Sequence, residues 1–296
     1  MLGSDRNMLK KFCEKHYIVL KKGQDFHIVI RLLVNCLMRM RLSFHKWIRG
    51  NHRLIVHYYA VCWNEEKILP FVFQYYECFV DRFIFYDNYS NDHSESIIRS
   101  HRNTEIIRFQ TEGFDDTKHN DIKNNCWKHS RGKADFVIVC DTDELLFHKD
   151  ILQKLSLLKH QKYSIVKPFG YNMYSVDYPC FRPEHPITEQ VQRGVRVPMF
   201  DKCILFDPHA IVEINYKPGA HECYPWGRVK WYRNEEIKLL HYKNIGLDQL
   251  IERNRLYASR LSKENVEKNY GTEYLKKEQL IIQEFKDNEQ NTIEII

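Results

Sequence analysis

Glycine and proline are scarce in this chain of 296 residues, at 11 and 9, which excludes collagen-like repeats and argues against low-complexity linkers. Residues 60–70 contain no glycine, so no Gly-rich phosphate loop lies near the first strand-like segment. No stretch reaches the about 18–20 uninterrupted apolar residues that a membrane-crossing helix needs. The most apolar segment, residues 27–48, is broken by Arg31, Arg39 and Arg41. Met1–Gly23 is too polar to read as a secretory signal. Nine cysteines are present, but no two form a CxxC pair, so neither a zinc site nor a disulfide framework is indicated. They read as reduced core residues of a cytosolic protein.

Acidic residues are few only at one end. Residues 1–53 hold twelve Lys and Arg against three Asp and Glu, whereas the remainder holds 33 against 36. The basic character therefore belongs to an N-terminal arm, and the main body has no cationic excess of the kind nucleic-acid binding requires. Within the arm, Val29, Leu33, Cys36, Leu37, Met40, Phe44 and Trp47 recur at helical spacing, with Arg31, Asn35, Arg39, Lys46 and Arg49 opposite. Such a basic amphipathic helix either lies on an anionic membrane surface or docks on its own domain with a solvated basic face.

What the chain does have is 43% hydrophobic residues, enough for a sizeable core. After Arg53 the pattern alternates. Strand-like runs at 54–63, 81–86, 104–109 and 134–140 are separated by helix-like segments at 67–77, 94–100 and 119–131. Alternation of this kind predicts βαβ units and a mostly parallel sheet, with ligands beyond the carboxyl ends of its strands. Further on, a helix is predicted over 151–160, strands over 164–169, 202–206, 211–215 and 236–242, and charged helical sequence from Leu247 to about Lys286. One domain over 54–296 behind an arm over 1–53 is the economical division, and no internal repeat is visible.

The strongest chemical signal is Asp141-Thr142-Asp143-Glu144, where the apolar run ADFVIVC ends. Continued extension would set Asp141 and Asp143 on one side of the backbone. Two such carboxylates repel unless a cation lies between them, and hard oxygen ligands suit Mg2+ or Mn2+ with a phosphate. The competing reading is a solvated turn whose carboxylates cap a helix.

Several blocks in order, VCWNEEKILPFVFQYY at 61–76, FIFYDNYSNDHS at 83–94, ADFVIVCDTDELL at 134–146, NYKPGAHECYP at 215–225 and LLHYKNIG at 239–246, resemble a family 2-like glycosyltransferase with the GT-A fold. The resemblance covers about residues 54–262. It implies an α/β, GT-A-like domain, a mostly parallel central sheet flanked by helices, behind the basic helical arm. It also implies a nucleotide-sugar donor, taken as a UDP-sugar, with Mn2+ or Mg2+, and inverting transfer to a hydroxyl of a glycan or lipid-linked acceptor. Surface polysaccharide or lipopolysaccharide synthesis, in the cytoplasm or at the inner face of the membrane, is the setting it suggests.

By the same resemblance, Asn64, Glu65, Asp87 and Asn88 would hold the nucleoside, with Asp87 alternatively a turn cap. Asp141 and Asp143 would bind ribose and the metal–diphosphate, with His241 as a further ligand candidate and His221 as a ligand or an acceptor contact. The general base would be Glu222 or Asp177, since the commoner Glu-Asp pair does not occur after the acidic motif. His119 and Asn120 are weaker candidates to face the crevice. Lys123, Arg131 and Lys133 read as solvated helix charges or a phosphate contact. The alternatives are a non-catalytic, membrane-associated nucleotide- or glycan-binding module and a nucleotidyltransferase. The latter is disfavoured by the missing glycine loop.

Overall fold

The computed structural model describes residues 53–296. The amphipathic helix read over 27–49 lies outside them. Fourteen strands are present among the described residues: β1 (Val56–Cys62), β2 (Arg82–Asp87), β3 (Thr104–Arg108), β4 (Phe136–Asp141), β5 (Glu144–Phe147), β6 (Ile165–Val166), β7 (Phe169–Ser175), β8 (Arg193–Arg196), β9 (Leu205–Phe206), β10 (Ile211–Glu213), β11 (Trp226–Gly227), β12 (Trp231–Tyr232), β13 (Lys238–Ile245) and β14 (Ile293–Glu294). The helices are α1 (Leu69–Tyr76), α2 (Ser94–Ser100), α3 (Asp116–Asn125), α4 (Ile151–His160), α5 (Ile187–Gln190), α6 (Leu247–Ala258), α7 (Lys263–Glu267) and α8 (Glu278–Gln290).

Seven strands form the central sheet in the order β12-β6-β9-β4-β1-β2-β3. Strands β1 to β4 are mutually parallel where they pair, and only β9 runs against its neighbours. This is the mostly parallel α/β sheet expected from the alternation. Val137, Ile138, Val139 and Cys140 are all buried, because both faces of β4 are covered. A second sheet, β14-β8-β7-β13-β5, stands beside the first. The chain passes from one to the other at the acidic motif, leaving the central sheet with β4 at Asp141 and joining the second with β5 at Glu144.

Several local expectations are corrected. The strand predicted over 164–169 is two strands in different sheets, β6 and β7, with Pro168 between them, a residue that cannot donate to a ladder. The helix predicted from 119 starts at Asp116 and is capped by the Asp115 side chain on the Lys118 amide, then tightens to a 3-10 turn at Cys126–Ser130. The helical stretch after Leu247 is broken into α6, α7, a 3-10 turn at Thr272–Leu275 and α8. Ser262 caps α7, and Gly271 turns the chain at φ 66°. The cysteines among the described residues are free, but Cys78 and Cys180 are exposed rather than in the core. No helix among the described residues is long and apolar enough to cross a membrane.

Candidate functional site

A cavity of about 620 Å³ opens beyond the carboxyl ends of β1 and β4. Its floor is the corner at residues 141–143. The motif does not continue extended: residues 142 and 143 form a turn, so the two carboxylates do not stand side by side on a strand. Both still line the cavity.

Neither carboxylate is unpaired. Lys123 Nζ donates to Asp141 Oδ1 at 2.6 Å, and Lys202 Nζ lies 3.5 Å from Asp141 Oδ2. Lys202 also pairs with Glu144 Oε1 at 2.5 Å. Arg253 Nη1 donates to Asp143 Oδ2 at 2.9 Å. Asp143 is buried, so it is not a group of the solvated turn in the competing sequence reading. Burial alone would raise its pKa, but Arg253 and His241 outweigh burial and hold the carboxyl well below the usual range. Asp141 behaves likewise, with Lys123 and Lys202 outweighing its burial.

Strand pairing delivers the next group. β13 lies between β5 and β7, which sets His241 opposite both Glu144 and Asn172. His241 Nε2 is 3.5 Å from Asp143 Oδ2, and its Nδ1 is 3.0 Å from Asn172 Oδ1. With Asn172 orienting the ring at Nδ1, Nε2 and Asp143 Oδ2 face each other as a nitrogen and an oxygen donor of the kind a divalent cation can share. Among the described residues, no group of three or more His, Cys, Asp or Glu is already arranged around a metal position. The donor chemistry fits a hard or borderline divalent ion at Asp143 and His241, with Asp141 near.

His221 also lines the cavity. Its Nδ1 donates to the Met199 carbonyl at 3.1 Å, and burial with Lys202 nearby lowers its pKa to about 4, so its Nε2 is an unprotonated acceptor at neutral pH. Helix α3 contributes a polar stripe of Asp116, His119, Asn120 and Lys123, spaced i, i+3, i+4 and i+7, all lining the cavity. His119 Nε2 and Asn120 Oδ1 are buried without partners. Burial and Lys123 lower His119 to about 4. Lys123 is buried and is not a solvated helix charge.

At the other end Glu65 reaches the cavity, with Tyr257 Oη donating to it at 3.3 Å. Burial pushes its carboxyl up to about 7 against the pull of Arg253. Asn88 lines the cavity and clasps Thr111 through both carboxamide atoms, at 2.7 and 3.2 Å. Asn64 faces Asn91 in a surface turn beside a smaller pocket.

Besides Asn64, three predicted residues are not brought to the main cavity. Asp87 is buried and accepts from the Ser90 amide at 3.1 Å and the Ser90 hydroxyl at 2.5 Å, the turn-capping alternative. Asp177 is exposed on the loop after β7. Glu222 is exposed and accepts from Tyr224 Oη at 3.0 Å, although Gly219 and His221 of the same loop do line the cavity.

Sequence reasoning missed Lys202, Lys243 and Arg253. Arg253 had a legible signal. Leu250, Arg253, Asn254 and Tyr257 form one stripe of α6 at i, i+3, i+4 and i+7, a charge set among otherwise buried positions, and all four line the cavity.

No protein-family model and no curated protein matches the chain. Solved structures align remotely. S. aureus TarS, residues 1–349, is 10% identical over 70% of this chain and 65% of its own, with a TM-score of 0.39. The same fragment in complex with UDP-GlcNAc is 12% identical over 75% and 72%, with a TM-score of 0.38. Glucosyl-3-phosphoglycerate synthase from Mycobacterium tuberculosis, with Mn2+, UDP and glucosyl-3-phosphoglycerate, is 16% identical over 40% and 44%, with a TM-score of 0.28. The chain thus spans less than two thirds of the first of these and less than half of the last.

Proposed function

We propose that the cavity is the donor site of a glycosyltransferase that takes a UDP-sugar with Mn2+ or Mg2+ and transfers the sugar, with inversion, to a hydroxyl. The observation that carries this reading is the corner at residues 141–143. There Asp143 Oδ2 lies 3.5 Å from His241 Nε2, Arg253 pairs with Asp143, and Lys123 and Lys202 pair with the neighbouring Asp141 and Glu144. Carboxylates that can share a cation, set among buried cations, suit a ligand that brings a diphosphate and its metal together.

In this reading Asp143 and His241 would hold the cation, with Asp141 and His221 as the remaining ligand candidates. When bound, the cation neutralises charge on the leaving diphosphate. Lys123 and Lys202 keep Asp141 ionised. Glu65 and Asn88 would meet the nucleoside. Asp87 would act at one remove, by shaping the turn beside Asn88, and Asn64 would act from the smaller pocket. Glu222 is the preferred base, because its loop reaches the cavity through Gly219 and His221, with Asp177 second. The arm over 1–53 would hold the domain over 54–296 at an anionic membrane surface, near a glycan or lipid-linked acceptor, in surface polysaccharide synthesis.

The exposure of Glu222 and Asp177 favours one competing reading, a non-catalytic nucleotide-binding module on the same fold. A thermal-shift screen of nucleoside diphosphates with Mn2+, followed by hydrolysis of the corresponding sugar nucleotides, separates the two. Stabilisation by UDP and Mn2+ with slow UDP-sugar hydrolysis supports the enzyme. Stabilisation without hydrolysis supports the module. No stabilisation by any nucleoside diphosphate sinks both.

A further inference from the structure

We infer that Arg253 is an exchangeable counter-ion, holding Asp143 while the site is empty and passing to the diphosphate when a divalent cation takes that carboxylate. The inference rests on the proposed reading of the cavity as a nucleotide-sugar site and adds how occupancy is coupled to the C-terminal helices.

Asp143 is buried, and an ionised carboxylate in such a place requires a positive partner at all times. In the empty site that partner is Arg253, at 2.9 Å on Oδ2. His241 Nε2 approaches the same oxygen, at 3.5 Å. A cation shared by Asp143 and His241 would therefore sit against the guanidinium, and the two like charges repel.

Arg253 makes few hydrogen bonds for so enclosed a group, its guanidinium otherwise lying 5.4 Å from the centroid of the Tyr257 ring. Among the described residues its one hydrogen bond is to Asp143. Its second carboxylate neighbour, Glu65, is 3.9 Å away, and its Nε is buried with no partner. A guanidinium offers five donors in a planar fork, which matches paired phosphate oxygens better than a single carboxylate oxygen. A diphosphate arriving with the cation would satisfy the donors that the empty site leaves idle.

Arg253 belongs to a helix that covers the site. On α6, Tyr257 stacks on Tyr274 with ring centroids 4.9 Å apart and reaches Glu65. Arg260, just beyond α6, lies 3.4 Å over the Trp63 ring. Release of Arg253 from Asp143 loosens one tie of this cover, and capture by diphosphate restores it. Cation alone should thus bind poorly, cation and nucleotide well together, and the coupling must be reciprocal.

The test is calorimetric titration of the full chain with Mn2+ alone and with Mn2+–UDP, in wild type and Arg253→Gln. Removing the competing charge should tighten Mn2+ alone by about tenfold and weaken Mn2+–UDP by about tenfold. A measurement without mutation accompanies it. In wild type, Mn2+ should raise amide exchange over 249–262, and UDP added to it should lower exchange below the empty state. Unchanged or weaker Mn2+ binding in Arg253→Gln, with Mn2+–UDP binding retained, makes Arg253 a fixed clamp and overturns the inference alone. So does exchange over 249–262 that ignores both ligands. A wild type that binds neither Mn2+ nor UDP overturns the site reading and the inference together.

Discussion

Arg253 donates to Asp143 at 2.9 Å although the two residues stand 110 positions apart. The acidic corner is therefore a structural joint as well as a candidate ligand. Asp143→Asn should lower stability by about 2 kcal/mol, because the guanidinium loses its one hydrogen-bonded counter-ion in an enclosed place. It should also abolish Mn2+–UDP binding. Denaturant melts of Asp143→Asn, Arg253→Gln and the double variant check the first point, with a coupling of about 1–3 kcal/mol expected. A coupling near zero would show that the pair contributes nothing to the fold.

Glu65 gives a pH signature. Its folded pKa is raised from 4.5 to about 7, mainly by burial. The folded state thus keeps a proton that the unfolded chain gives up near 4.5. This contribution to stability is complete below pH 4.5 and is lost as pH rises through about 7, by at most about 3 kcal/mol. Asp141 and Asp143 act oppositely: their depressed pKa values stabilise the fold above the ordinary carboxylate range, and that stability is lost as pH falls below it. Glu65→Gln should flatten the decline in Tm between pH 4.5 and 7 and melt above wild type at pH 8. A parallel decline in both proteins would remove Glu65 as its source.

Asp87 should behave as a cap. Asp87→Ala loses two hydrogen bonds to Ser90 and should cost about 1–2 kcal/mol of stability. Its Mn2+–UDP affinity, measured well below the melting point, should change less than about threefold. A tenfold loss or more would return Asp87 to direct contact with the nucleoside.

The general base is tested by comparison. Glu222→Gln should cut turnover by about 10²–10⁴-fold with donor binding preserved, while Asp177→Asn leaves turnover near wild type. The reverse pattern would move the role to Asp177. Near-wild-type turnover in both would require a base from the cavity wall, where Glu65 and Asp116 are carboxylates raised by burial to about 7 and about 6.

Much of the frame is written locally. Helices α2 and α4 span the predicted residues, 94–100 and 151–160, because their starts are set locally, Asp92 accepting from the Ser94 amide before α2 and Asp150 capping α4 on the Gln153 amide. The four parallel strands follow from alternation, and the uniformly apolar β4 announced its burial between two layers. From these alone came a sheet with a polar cluster, including Asp141 and Asp143, at the carboxyl ends of its strands. The second sheet was not legible. β13 and β7 lie some 70 residues apart and take their meaning from pairing with each other, a choice no periodicity encodes. That pairing sets His241 against Asn172, the pairing of β13 with β5 brings it to Asp143, and the packing of α6 over the corner adds Arg253. The exposure of Glu222 and Asp177 was equally out of reach, because a loop residue's environment depends on where distant strands carry the loop. Sequence alone thus determined the β/α order and where the carboxylates leave the sheet. The tertiary structure decided which charges surround them, since ion pairs form between whatever groups packing brings within a few ångströms, however far apart they stand in the chain.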